Sequence, residues 1–128
     1  MLRPDLPARL SRTYRRDGHT VLELSGSIDI AALPEVIPHL DAATAMPRPR
    51  VVIDLTPVEF FDCSGVRLLV RARRRVAERG GRLALVCPHR PILRTLTVLR
   101  LNDTFRPAPT FDAALERIMS APGCGAGT

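Results

Sequence analysis

The stretch VVIDLTPVEFFDCSGVRLLV, residues 51–70, decides how this chain folds. Val51, Val52 and Ile53 are three branched apolar residues in succession, followed by Leu55, as in a strand buried on both faces. Thr56-Pro57 reads as a turn, and Val58 to Phe61 returns the chain to the core. A long helix then runs to about Arg79 and stops at Gly80-Gly81. Between these core-forming segments stand an acid, a thiol, a hydroxyl and a glycine: Asp62, Cys63, Ser64 and Gly65. A helix beginning near Ser64-Gly65 presents unpaired N–H groups and a partial positive charge there. Ser64 or Asp62 can cap it. A reciprocal capping box is missing, because Arg67 lies three residues after Ser64 and Gly65 three after Asp62. Gly65, a poor helix former, is expected to leave the Ser64 hydroxyl open to an incoming partner.

Working outward, Arg9 to Arg16 has the character of a short edge strand, and Asp17-Gly18 that of a hairpin turn into TVLELSG. Gly26 loosens the backbone before Ile28, Asp29 and Ile30. From Ala32 to Ala43 the period becomes helical: Leu33, Val36, Ile37 and Leu40 share one face, Pro34 suits a first helical position, and Pro38 bends the first turns. After the central stretch, RLALVC at 82–87 is another strand, and Pro91 opens a shorter helix carrying Ile92, Leu93, Leu96 and Leu99. Phe111, Ala114, Leu115, Ile118 and Met119 mark a last amphipathic helix. The alternation predicts a single α/β domain over residues 9–119. It comprises a mixed β-sheet of about four to five strands packed against about four helices, flanked by flexible arms at 1–8 and 120–128.

The composition is that of one globular domain: 128 residues, 45% hydrophobic and 25% charged. The net charge is +6 and every basic residue is arginine. Such a balance can serve nucleic acid or an acidic membrane surface, or it can reflect coding bias, the reading preferred here. Cys63, Cys87 and Cys124 are odd in number and lie far apart without a CxxC pair, which argues against a disulfide framework or a zinc site and for a reducing, cytoplasmic setting. No apolar run approaches the roughly 20 residues of a membrane span, and MLRPDLPARLSR has no leader-like core.

VVIDLTPVEFFDCSGVRLLVRARRR, with LELSGSIDI before it and RGGRLALVC after it, resembles the STAS domain family over roughly residues 10 to 119. The most specific parts are D-L-T/S-x-V-x-F and D-x-S-G. The family comprises anti-sigma factor antagonists and cytoplasmic modules of sulfate transporters. In the antagonist branch the serine of D-S/C/T-S-G is phosphorylated by the partner anti-sigma factor, a serine/threonine protein kinase. The resemblance therefore implies Ser64 as the phosphorylation site, with Asp29, Asp62, Cys63, Gly65, Val66 and Arg67 as the partner-binding surface. Cys63 stands where members usually carry Ser or Thr, and Ile30-Ala31-Ala32 offers no hydroxyl after Asp29. The implied protein is a cytoplasmic, non-enzymatic regulator of sigma-factor-dependent transcription. It needs no cofactor or metal, and a phosphatase that resets Ser64 is a further expected partner. An accessory or ligand-sensing module docking on another protein, such as a transport ATPase, is the alternative.

Other readings of the same residues are weaker. A serine hydrolase needs a G-x-S-x-G elbow and a positioned histidine, whereas His19, His39 and His89 lie in predicted loop or surface contexts and read as ordinary exposed residues. Asp29, Asp54 and Asp62 lack a regular ligand spacing. Cys63 reads equally as a low-pKa thiol or a small filler. On the long helix, Arg67, Arg71, Arg74 and Arg75 fall on one side, and Val66, Leu69, Val70 and Ala77 on another. The basic side reads as a solvated face, with an acidic partner surface or nucleic acid as the functional alternatives. Five aromatics and no helix-turn-helix or RNP signature leave direct nucleic-acid binding without support.

Overall fold

A computed structural model describes residues 10–120. The expected N-terminal arm at 1–8 and the tail from 121 onward lie outside the described residues, while Ser120 closes the last helix. Strands β1 (Ser11–Arg16) and β2 (His19–Leu24) form the expected hairpin. Then come β3 (Gly26–Ile28), a 3-10 turn (Ile30–Ala32) and helix α1 (Leu33–Ala43), which runs through Pro38. The central stretch gives β4 (Arg50–Asp54), β5 (Val58–Phe61) and helix α2 (Cys63–Glu78). Strand β6 (Arg82–Val86) leads to α3 (Arg90–Val98), a short α4 (Asn102–Phe105) that no periodicity announced, and α5 (Phe111–Ser120).

Four strands form the main sheet in the order β1-β2-β4-β6; β1 is antiparallel to β2, and the other pairs are parallel. Its central strands are buried on both faces, and the period of two separates the two cores. Leu22, Val51, Ile53 and Leu85 face the larger core under α1, α2 and α3, which also takes Val36, Leu40, Leu69 and Leu96. Val21, Val52, Ala84 and Val86 face the smaller core, closed by Phe111, Ala114 and Ile118 of α5. Three branched residues in a row at 51–53 thus serve both layers at once.

The four-stranded sheet is the mixed sheet expected, and β3 with β5 forms a separate two-stranded parallel sheet beside it. The divergence begins at Gly26, whose φ of +72° is a conformation that side chains disfavour. The Ser25 amide still donates to the Leu10 carbonyl at the end of the hairpin, but the Gly26 amide turns to the Pro57 carbonyl. From there the chain runs beside β5. Phe60, expected in the core, is 52% exposed on this small sheet.

Gly65 is buried in the first turn of α2, directly against the ring of Phe61. A Cβ there would lie 2.5–2.7 Å from three ring carbons. The glycine is therefore needed for the close approach of α2 to β5, rather than for clearance around the Ser64 hydroxyl as the sequence suggested.

The far ends of α1 and α2 are joined electrostatically. Asp41 accepts from Arg71 Nε at 2.8 Å and Nη2 at 2.7 Å, a two-pronged pairing, with Arg75 Nε at 3.4 Å. Arg75 also donates to the Thr44 hydroxyl and the Asp41 carbonyl, while Thr44 Oγ1 donates to the Leu40 carbonyl. The last carbonyls of α1 are thereby satisfied. So Arg71 and Arg75 are structural ties, not part of a freely solvated basic face. Their hydrogen bonds and charges hold the Asp41 carboxyl below the ordinary range, against the opposing effect of its partial burial.

Two outcomes follow from these contacts. Gly65→Ala should displace Phe61 and cost about 1–3 kcal/mol in denaturant unfolding. Combining it with Phe61→Ala should cost less than the sum of the two single changes, and strict additivity would contradict the contact. Asp41→Asn should cost about 1 kcal/mol at neutral pH. Because the folded-state carboxyl is held low, its contribution is present at neutral pH and lost as pH falls below about 4. The wild type should therefore lose stability more steeply than Asp41→Asn across that acid range, as measured by thermal melts.

Candidate partner-docking site

The pairing of β3 with β5 builds the site. Ile28 lies opposite Phe61, so the next residues, Asp29 and Asp62, leave adjacent parallel strands together. The Asp62 amide donates to the Ile28 carbonyl at 3.4 Å. Both aspartates then do the same work with nearly the same backbone. Asp29 (φ −121°, ψ −170°) accepts the Ala31 amide at 3.0 Å and opens the 3-10 turn. Asp62 (φ −117°, ψ −160°) accepts the Ser64 amide at 2.8 Å and opens α2. The site is a pair of twin caps on neighbouring strand ends, a geometry that follows from Asp being short enough to reach an amide two residues on.

Helix α2 thus begins at Cys63, slightly earlier than the sequence suggested, with Asp62 rather than Ser64 as its cap. Cys63 is exposed, Ser64 half-buried, and Gly65 and Val66 are buried beneath them. No hydrogen bond joins Ser64 Oγ to any other described residue. A hydroxyl in the first turn of a helix, relieved of capping by its neighbour, is chemically available. Arg67 follows one turn later and is exposed.

The three histidines do not approach this hydroxyl through any hydrogen bond, nor are they ordinary exposed residues. His19 is buried at the start of β2, with Nδ1 2.8 Å from the Asp17 carbonyl. His39 lies on α1 and meets the buried Ser11 Oγ through Nδ1 at 2.9 Å. The Nε2 of His89 bridges the carbonyls of Leu55 and Thr56 at 3.0 and 2.9 Å, pinning the loop after β4. Each is engaged in fastening backbone or strand. Asp54 is likewise committed, accepting from the amide and hydroxyl of Thr56. Among the described residues, no group of three His, Cys, Asp or Glu is placed to hold a metal ion. Nor is any described helix long and apolar enough to cross a membrane.

Sequence reasoning missed two features beside the site. Ile30, directly after the Asp29 cap, is 71% exposed. Val70, assigned by periodicity to the buried side of α2, is 44% exposed and faces a groove between α1 and α2. A wheel drawn at 100° per residue places Val70 at the margin of the apolar arc, and only the packing of α1 decides which way a marginal residue faces.

Comparison with known proteins bears on this geometry. A family model described as the STAS domain matches residues 11–114. No curated protein sequence matches the chain. Among solved structures, an anti-sigma factor antagonist from Mycobacterium paratuberculosis superposes with a TM-score of 0.78 at 28% identity, covering 86% of this chain and 93% of that one. An anti-sigma-factor antagonist (STAS) domain protein from Planctomyces limnophilus gives 0.70 at 26% identity, covering 83% and 96%. The Bacillus cell fate determinant SpoIIAA in its phosphorylated form gives 0.64 at 20% identity, covering 84% and 98%, a likeness of fold. The family match runs from β1 into α5 and contains both capping aspartates and Ser64. The chain belongs to the STAS domain family.

Proposed function

We propose that this chain is an anti-sigma factor antagonist whose binding to a kinase-type anti-sigma factor is switched off by phosphorylation of Ser64. The observation that carries the reading is the spare hydroxyl: Asp62 caps α2, which leaves Ser64 Oγ without a partner among the described residues on an accessible first turn. The likeness to antagonist structures above 25% identity supports the class of partner.

In the proposed reaction Ser64 Oγ attacks the γ-phosphorus of ATP held by the partner kinase. ADP leaves, and the hydroxyl proton passes to a base of that kinase. The phosphate adds about −1.5 to −2 charge. Within this chain the change is tolerable, because the start of α2 carries a partial positive charge and Arg67 follows three residues on. For a partner, the change is large. A surface fitted to a neutral hydroxyl beside Asp29 and Asp62 meets a cluster of negative charge and loses its fit. Asp29, Asp62, Cys63 and Arg67 supply that surface, while Gly65 and Val66 set its level from below. A phosphatase that removes the group restores binding.

Two experiments test this. Incubation with the anti-sigma kinase, magnesium and ATP should place one phosphate on Ser64 by mass spectrometry and none on Ser64→Ala. Labelling that persists in Ser64→Ala would overturn the assignment. Ser64→Asp should unfold within about 0.5 kcal/mol of the wild type. Its affinity for the anti-sigma factor should drop by at least about tenfold, or ~1.4 kcal/mol. An unchanged affinity contradicts the switch.

A further inference from the structure

The groove between α1 and α2 starts one turn beyond Ser64 and encloses about 440 Å³. Its floor is apolar, made by Leu33 and Ile37 of α1 with Val66 and Val70 of α2. Arg71 also lines it but is consumed by Asp41 at its far end. Arg67 and Arg74 are different. Both are exposed on the rim, and neither has an ion pair or hydrogen bond from its side chain to any described residue.

The spacing is informative. Positions 67, 70, 71 and 74 form one stripe of α2, so the two free guanidiniums stand seven residues apart on one face, about 10.5 Å along the axis. Val70 lies between them, and Leu33 and Ile37, four residues apart, line the groove from α1. We propose that this groove docks an acidic amphipathic helix of a protein partner. That helix would seat apolar side chains at i+3 and i+4 against Val70 and Ile37, with carboxylates at i and i+7 facing Arg67 and Arg74. A groove between two packed helices accepts a third helix by the ridge-and-groove fit that joins helices generally. A single-headed anionic amphiphile fits less well, since it has one charge to offer and two separated cations to satisfy. The inference rests on the partner-docking reading of Ser64, and adds to it the chemistry of the element that the partner brings.

The test uses a synthetic helical peptide with Glu at i and i+7 around Leu at i+3 and i+4, its counterpart with Lys in place of both Glu, and oleate as the anionic amphiphile. Each is titrated into the isotope-labelled, unphosphorylated full chain while amide shifts are followed. The Glu peptide should shift the amides of Leu33, Ile37, Arg67, Val70 and Arg74, and its binding should weaken as salt rises. In the doubly reversed variant Arg67→Glu, Arg74→Glu, its affinity should fall by about tenfold or more, whereas the Lys peptide should then bind better than it does to the wild type. Amide dispersion confirms that the variant is folded. The proposal is overturned if the Glu peptide leaves these amides unmoved, if both peptides bind the wild type equally, or if oleate shifts them while the Glu peptide does not. Because no kinase or phosphate enters this titration, its failure leaves the Ser64 switch standing. Conversely, an unlabelled Ser64 would leave the titration result intact.

Discussion

The Asp62 carboxylate on the Ser64 amide is the contact from which the rest of the site follows. It starts α2 at Cys63, fixes the first turn against β5, and takes over the task that a serine at a helix start commonly performs. The contact in turn depends on register. Ile28 opposite Phe61 sends Asp29 and Asp62 off adjacent strands at the same level, so two short loops with almost the same backbone lie side by side. The small β3–β5 sheet therefore serves chiefly as a mounting for the two caps.

The larger sheet supplies rigidity. Its central strands are covered on both faces, and α2 is held along its length: Gly65 against Phe61 at the start, Leu68, Leu69 and Ala72 in the core, and Arg71 and Arg75 on Asp41 towards the end. A first turn held this way is fixed in shape, which is what the proposed switch of recognition, as opposed to a switch of fold, requires.

Much of this was legible in the sequence. The double-sided burial of β4 is written in Val51, Val52 and Ile53, and the end of α2 in Gly80-Gly81, because local composition dictates both. The D-C-S-G interruption marked the start of α2 and its polar exposed turn. What was hidden depends on partners distant in the chain. That Asp62 caps in place of Ser64, that Gly65 makes room for Phe61, and that Arg71 and Arg75 serve Asp41 across about 30 residues are choices among locally equivalent options, decided by packing. The split into two sheets was hidden for a similar reason. A glycine permits a change of direction, but only the competition for the Gly26 amide between strand neighbours and Pro57 sets it. His19 and His89 were misjudged because a residue that bonds to main-chain carbonyls carries no periodic signature, and His39 because its partner, the Ser11 hydroxyl, lies far off in the chain.

The smaller core carries a consequence for how the chain is made. Val21, Val52, Ala84 and Val86 come from three strands spread over the length of the domain, and their cover, α5, follows all of them in chain order. A nascent chain that has completed the sheet still shows water a bare apolar face until Phe111 and Ile118 clear the ribosome. Each parallel pairing also spans a crossover of roughly 30 residues, so assembly must close long loops before any strand contact rewards it. Such a topology matures late and as a unit, and the first turn of α2 acquires its final form only when the whole domain does.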